Sequence, residues 1–158
     1  MAIEFYSTKD RYGEFSNFAP FPIEMDGQLW PTTEHYFQAQ KFEDPNYREK
    51  IRTTPSPMIA ARLGRSRAIK IRSDWETVKL DIMRRAVRTK FSAHRALREL
   101  LLATGDEQII EKTTQDEFWG CRTSGSGQNW LGRILMEVRA HLSGTDQVPQ
   151  MENSRNER

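Results

Sequence analysis

Residues 22–42 read PIEMDGQLWPTTEHYFQAQKF, and the stretch changes character halfway along. Its first half places Asp26-Gly27 between two short runs. Asp-Gly is the favoured pair for a two-residue hairpin turn, so a β-hairpin is expected there. From Thr32 onward the signals are helical, with Thr32 or Thr33 able to cap a helix running to about Phe42. Working outward, Ile3 and Phe5 alternate with polar neighbours, as a half-buried strand would. Towards the C-terminus, Ser56-Pro57 offers a cap followed by a first-turn proline, and Gly64 a C-terminal stop. Ser73 and Glu76 have capping-box spacing at the head of the longest predicted helix. There Trp75, Val78, Ile82, Met83, Ala86, Val87 and Phe91 form one apolar stripe. Ser92 is placed to cap a further helix carrying Leu97, Leu100 and Leu101. A last helix aligns Leu131, Ile134, Leu135, Val138 and Leu142, and residues 108–113 read as a short strand. The expected class is α+β, predominantly helical, a single domain with a small N-terminal β-hairpin or sheet.

Composition bounds the function. The chain has 158 residues, 37% hydrophobic and 29% charged, with 24 Lys and Arg against 22 Asp and Glu, a net charge of +2. That length suits one domain, and so even a balance argues against a wholesale nucleic-acid coat. Nothing reaches the roughly 18 consecutive apolar residues of a membrane span, and the opening MAIEFYSTKD lacks a signal-peptide layout. A cytoplasmic protein with no membrane partner is expected. The single cysteine, Cys121, excludes an internal disulfide and a multi-cysteine metal site. His35, His94 and His141 lack ligand-like spacing, so no metal site is expected. The final SGTDQVPQMENSRNER has only Val148 and Met151 as large apolar residues, too few to offset the entropy of ordering it. The domain is therefore expected over residues 1–142, with a disordered tail over residues 143–158.

Three segments resist a purely structural account. The first, residues 13–42, carries Glu34, Gln38 and Lys41 at i, i+4 and i+7, so the three share a helix face. Glu34 stands in the first turn, where the helix dipole favours a carboxylate, amid dense aromatic residues. The second is QDEFWGCRTSGSGQNWLG, residues 115–132. Its glycines at 120, 125 and 127 lead into a helix N-terminus, an arrangement suited to anions. Arg122, Ser124, Ser126 and Asn129 could add donors, although no Gly-Lys-Ser/Thr follows to make a P-loop. The third is the basic stretch from Arg62 to Lys90, with ten Lys and Arg against Asp74, Glu76 and Asp81. Its helical part reads as a solvated face, including Lys90. Arg65, Arg67, Lys70 and Arg72 precede that helix and could turn towards one phosphate.

In these segments and their neighbours the sequence resembles the YbiA/NADAR family. The likeness rests on FYS at 5–7, GEFSNFAPFPI at 13–23, WPTTEHYFQAQKF at 30–42, SPMIAARLGR at 56–65, RSDWE at 72–76, FWG at 118–120 and NWLGRILMEVR at 129–139. It implies a predominantly helical fold and hydrolysis of N-glycosidic bonds on ribose phosphates, without metal or organic cofactor. The implied substrates are phosphoribosylamino-pyrimidine intermediates of riboflavin biosynthesis or, in other branches, ADP-ribose attached to guanine. Nucleic acid then enters only as a modified substrate. The family's functional residues fall on Glu34, Trp75, Asp116 and Trp119, with Glu117 adjoining Asp116 as the other acid. Trp75 lies on the apolar stripe and is as well placed for core packing as for ligand contact.

Chemistry completes the expectation. Breaking an N-glycosidic bond builds oxocarbenium-like charge on the ribose. A carboxylate beneath the anomeric carbon stabilises it and takes a proton from water, the role expected of Glu34. Asp116 is the expected partner of the leaving amine. Substrate binding is expected from Trp75, Trp119, Asn17, Lys41, Arg65, Arg67, Gly120 and Asn129, with the 122–129 loop and the arginines on the phosphate. The non-enzymatic alternative is a module that binds ADP-ribose or nucleotides without cleaving them.

Overall fold

The computed structural model describes the backbone of residues 1–155 and the side chains of residues 1–144. Strand β1 (Ala2–Phe5) and strands β2 (Ile23–Met25) and β3 (Gln28–Trp30) precede helix α1 (Thr33–Ala39). Helices α2 (Pro45–Arg52), α3 (Pro57–Arg65), α4 (Trp75–Ala93) and α5 (Arg95–Ala103) follow, then strand β4 (Gln108–Glu111) and helix α6 (Trp130–Arg155). The α+β, mostly helical class is as expected.

The hairpin forms where Asp26-Gly27 predicts it. Both residues are left-handed, with φ of 54° and 76°, as the tight turn demands. The other sheet is non-local: β1 pairs with β4 in parallel, Ala2 opposite Gln108 and Phe5 opposite Glu111.

Helix α1 is the centre of the molecule. Thr32 Oγ1 accepts from the His35 N–H at 3.1 Å, which is the predicted cap. All seven residues of α1 are buried, because α2, α3 and α4 pack around it. Burial so complete requires its polar groups to bond internally. Thr33 Oγ1 donates to Asn17 Oδ1 at 2.8 Å. The His35 ring lies between Thr32 Oγ1 at 2.8 Å and the Thr54 carbonyl at 2.9 Å. A carbonyl only accepts, so Nε2 carries the proton and Thr32 donates to Nδ1. Burial also lowers the His35 pKa, and the neutral ring is a structural strut. The helix stops at Ala39, short of the expected Phe42, which turns to bridge with Ile71.

The apolar stripes are buried as their spacing requires, with only Val78 and Leu100 partly accessible. The stops and caps differ more. Helix α2 has no counterpart in the predicted elements; Asp44 caps it, accepting from Asn46 and Tyr47 N–H groups. Gly64 lies inside the last turn of α3, which ends at Arg65 with Ser66 as its C-cap. The Ser73–Glu76 box does not form: α4 starts after Asp74, whose carboxylate instead pairs with Arg72 at 2.6 Å. Ser92 lies within α4, and α5 begins after His94. Lys90, expected on a solvated face, is only 1% exposed. Its ammonium donates to the carbonyls of Glu14 at 2.6 Å and Ser16 at 2.9 Å. That clamp holds the segment leading to Asn17, at the cost of a pKa pushed by burial down to about 7.

The expected domain end at residue 142 falls inside α6, whose backbone continues to Arg155. The tail expected over residues 143–158 lies outside the described side chains from 145 and outside the described residues from 156. No helix among the described residues is long and apolar enough to cross a membrane.

Candidate active site

A cavity of about 820 Å³ opens beside α1. Its walls come from the turn after β1, the Ser16–Phe18 segment, helices α1 and α3, Met83 of α4, and the end of β4 with the loop that follows. The second of these walls is the one clamped by Lys90.

Glu34 stands in the first turn of α1, 8% exposed, and faces this space. Its backbone N–H donates to the Asn17 carbonyl, and its Oε1 accepts from Gln38 Nε2 at 2.7 Å. The helix dipole was expected to favour its ionised form, yet its pKa is raised. Burial dominates, Asp116 adds to it, and the Gln38 hydrogen bond, Lys41 and Arg65 oppose it. The other amide atom of Gln38, Oε1, is buried without a partner among the described residues. It presses against Gly64, where a Cβ would lie 1.9 Å from it. The glycine is there for close approach, which explains why it sits inside a helix.

Lys41 and Arg65 supply positive charge to the cavity. Burial lowers the Lys41 pKa to about 8, with Glu34 opposing. Its Nζ lies 6.0 Å from the Phe37 ring centre and 5.9 Å from that of Trp75. Arg65 is exposed at the rim and makes no hydrogen bond or ion pair among the described residues.

Asp116 and Trp119 are built by one turn. Asp116 Oδ1 accepts from the Phe118 and Trp119 N–H groups, each at 2.9 Å. Thr113 Oγ1 donates to the Asp116 carbonyl at 2.5 Å and accepts from Arg122 N–H at 3.0 Å. The Trp119 ring meets Phe37 edge to face at 5.3 Å, leaving it on the cavity wall.

The structure thus brings together Glu34, Asp116, Trp119, Asn17, Lys41 and Arg65, and sets the rest apart. Trp75 is buried behind Phe37, ring centres 5.0 Å apart, and packs in the core. Arg67 turns back onto the carbonyls of Gly64 and Ser66. Gly120 is required because a Cβ would lie 2.2 Å from Thr113 Cγ2. Asn129 is a buried staple, accepting from Glu111 N–H at 3.0 Å and donating to the Ile109 carbonyl at 2.9 Å. None of these four lines the cavity, and neither does the 122–129 loop. Arg122 there pairs with Glu117 at 3.1 Å on the surface.

One wall residue has no counterpart in the sequence expectations. Glu111, the last residue of β4, lines the cavity opposite the helical carboxylate. Burial, then Asp116, then Glu34 raise its pKa to about 8. The signal was alternation: in Gln-Ile-Ile-Glu, the fourth residue shares the face of buried Ile109. No group of three His, Cys, Asp or Glu among the described residues is arranged to hold a metal ion.

The cavity gathers three carboxyls, an aromatic wall and two cations, groups suited to a charged, ring-bearing ligand. A model of the NADAR domain matches residues 4–143, and the chain belongs to that family. It is 55% identical over 141 residues to N-glycosidase YbiA of Escherichia coli (strain K12), covering 89% of this chain and 88% of that one. The NMR structure of the E. coli protein YbiA superposes with a TM-score of 0.86 at 53% identity, over 92% of this chain and 87% of that one. Riboflavin biosynthesis protein PYRR, chloroplastic, of Zea mays is 42% identical over 158 residues, 90% of this chain and 25% of the plant protein. The chain is an N-glycosidase of the NADAR family, a hydrolase acting on N-glycosyl bonds.

Proposed function

We propose that the substrate is a phosphoribosylamino-pyrimidine intermediate of riboflavin biosynthesis, cleaved in the cytoplasm to ribose 5-phosphate and the free base. The observation that carries this reading is the pairing of buried Glu34 with Lys41 and Arg65 in one cavity. A carboxylate suits the developing oxocarbenium, and the two cations suit a 5-phosphate whose binding positions the ribose for attack. The riboflavin name of the maize relative supports the choice of base.

In this scheme Glu34 takes a proton from the attacking water. Trp119 stacks on the pyrimidine, worth about 1–3 kcal/mol by analogy with base stacking. Asp116, with one oxygen held by two N–H groups, accepts hydrogen bonds from the base. Asn17 carries the backbone carbonyl that fixes Glu34.

A second reading, hydrolysis of ADP-ribosyl-guanine, is favoured by one observation. The 820 Å³ volume and the exposed Tyr6 and Phe18 on its walls offer room beyond a single phosphoribosyl group. Incubating the protein with the phosphoribosylamino-uracil intermediate and with an ADP-ribosylated guanine nucleotide, and following free base by chromatography, separates the two. Release of the free amino-uracil is expected, with Glu34→Gln slowing it about 10²–10⁴-fold. No release from the first substrate sinks the riboflavin reading, and near-normal turnover in Glu34→Ala sinks the role given to that residue.

A further inference from the structure

Three carboxyls share the cavity, and they differ in what is aimed at them. Glu34 Oε1 receives the Gln38 amide at 2.7 Å, and Asp116 Oδ1 receives two backbone N–H groups at 2.9 Å. Donors pointed at a carboxyl oxygen favour its ionised form, and at Glu34 the Gln38 amide with Lys41 and Arg65 works in that direction against the larger effect of burial. The Glu111 carboxyl receives no hydrogen bond and no ion pair among the described residues. Its backbone, by contrast, is locked: the N–H is held by Asn129 Oδ1, and the carbonyl accepts from Cys121 N–H at 2.9 Å and Thr113 N–H at 3.0 Å. A rigidly mounted carboxyl without donors, facing two that have them, is where a shared proton resides, because like charges in one cavity cannot all ionise cheaply.

The hydrolysis needs such a proton. The bond between the anomeric carbon and an exocyclic amine breaks with both electrons going to nitrogen, and an amide-like nitrogen anion is a poor leaving group. We propose that Glu111 is the general acid of the reaction, donating its proton to the departing nitrogen, while Asp116 holds the base. The proposal rests on the N-glycosidase reading with an amine leaving group, and it reassigns the protonating role expected of Asp116. Nitrogen takes the Glu111 proton and the bonding pair and leaves as the free amine. Water adds to the anomeric carbon and gives one proton to Glu34. When products depart, that proton returns through solvent to Glu111, so one water is consumed and both residues are restored. Glu111 is a catalytic residue in this scheme because it touches the reacting nitrogen.

The test compares leaving groups. Wild type and Glu111→Gln are assayed on the phosphoribosylamino-uracil and on p-nitrophenyl ribofuranoside 5-phosphate, whose phenolate departs without a proton. Expected is a fall in kcat of about 10²–10⁴-fold on the amine and no more than about threefold on the nitrophenyl compound. The ratio of the wild-type rates on the amine and on the nitrophenyl compound should also decline above pH about 8, with the loss of Lys41 charge in the same range cancelling in the ratio, and that decline should be absent in the variant. Equal losses on both substrates, or a ratio that still declines in the variant, overturn the proposal. A carbon-13 NMR titration of the glutamate carboxyls in wild type decides the matter even where the variant fails to fold. Glu111 titrating in the ordinary carboxylate range overturns it; titration near 8 supports it. Should wild type leave the uracil compound intact yet cleave an ADP-ribosylated guanine nucleotide, the riboflavin reading fails by itself. The same leaving-group comparison is then made on the guanine amine.

Discussion

Replacing Gly64 by alanine puts a methyl group against Gln38. The new Cβ would lie 1.9 Å from Gln38 Oε1, 2.6 Å from its Cδ and 3.0 Å from its Cβ, so the amide must retreat by about 1 Å. It has no slack, because the same amide donates to Glu34 at 2.7 Å and the residue is buried. Overpacking of this kind costs about 1–3 kcal/mol, and a hydrogen bond to a charged group contributes about 1.5–3 kcal/mol. Against these stands roughly 1 kcal/mol of helix propensity gained on leaving glycine. The net expectation is a loss of about 3 kcal/mol, a fall in Tm of about 6–12 °C for a domain of this size. Turnover should fall more than stability does. A displacement of about 1 Å in a group that orients a catalytic carboxylate costs up to about 100-fold in kcat. Thermal unfolding by circular dichroism and steady-state release of free base measure the two effects. Gly144→Ala, in α6 with nothing near its Cβ, is the control and should gain up to about 1 kcal/mol. A Gly64→Ala protein with raised Tm and unchanged kcat would refute the claim that this glycine exists to seat Gln38.

Other perturbations probe the supports of the site. Asn129→Ala removes both bonds that tie α6 to β4 and should cost about 3 kcal/mol by urea unfolding, with a fall in kcat because Glu111 loses its anchor. Lys90→Met leaves the Glu14 and Ser16 carbonyls without their donor; a loss of about 2–3 kcal/mol and a raised KM are expected, since Asn17 and Phe18 follow directly. The pH dependence of stability should separate wild type from Glu111→Gln. Folded Glu111 binds its proton more tightly than the unfolded chain does. Its stabilising contribution is therefore complete below pH about 4.5 and is lost as pH rises through about 8. Urea unfolding from pH 4 to 9 should show the variant gaining on wild type across that window, and a constant difference would contradict the assignment.

How far these features could be read from the chain depends on how local their causes are. The hairpin turn at Asp26-Gly27 and the Thr32 cap rest on neighbouring residues, and both appear where predicted. The stripes of α4 and α6 were legible because a single face is buried in each. Helix α1 offered no stripe at all, since every side chain is inside, and only its cap betrayed it. Ser73 is not the cap, since α4 starts one residue later, after Asp74, and the Asp74 carboxylate pairs with Arg72 instead of capping, a partner choice that spacing does not reveal. Glu34, Asp116 and Trp119 stood out by motif. Lys90 did not, because its partners are carbonyls more than 70 residues away, and no charge pattern encodes a carbonyl. Asn129 was read as an anion donor from its glycine-rich surroundings, whereas its amide is spent on the backbone of β4.

The pairing of β1 with β4 also governs when the protein becomes an enzyme. Ala2 must find Gln108 across more than a hundred intervening residues, and closing so long a loop is a late event in folding, bought with contacts that local helices do not supply. Glu111 ends the strand that makes this closure, while Glu34 sits on a helix capped by its own neighbours. During synthesis the segment that carries the first carboxyl leaves the ribosome long before the segment that carries the second. An incomplete chain therefore carries the base of the reaction without its opposite wall, and catalytic competence arrives together with the last topological step.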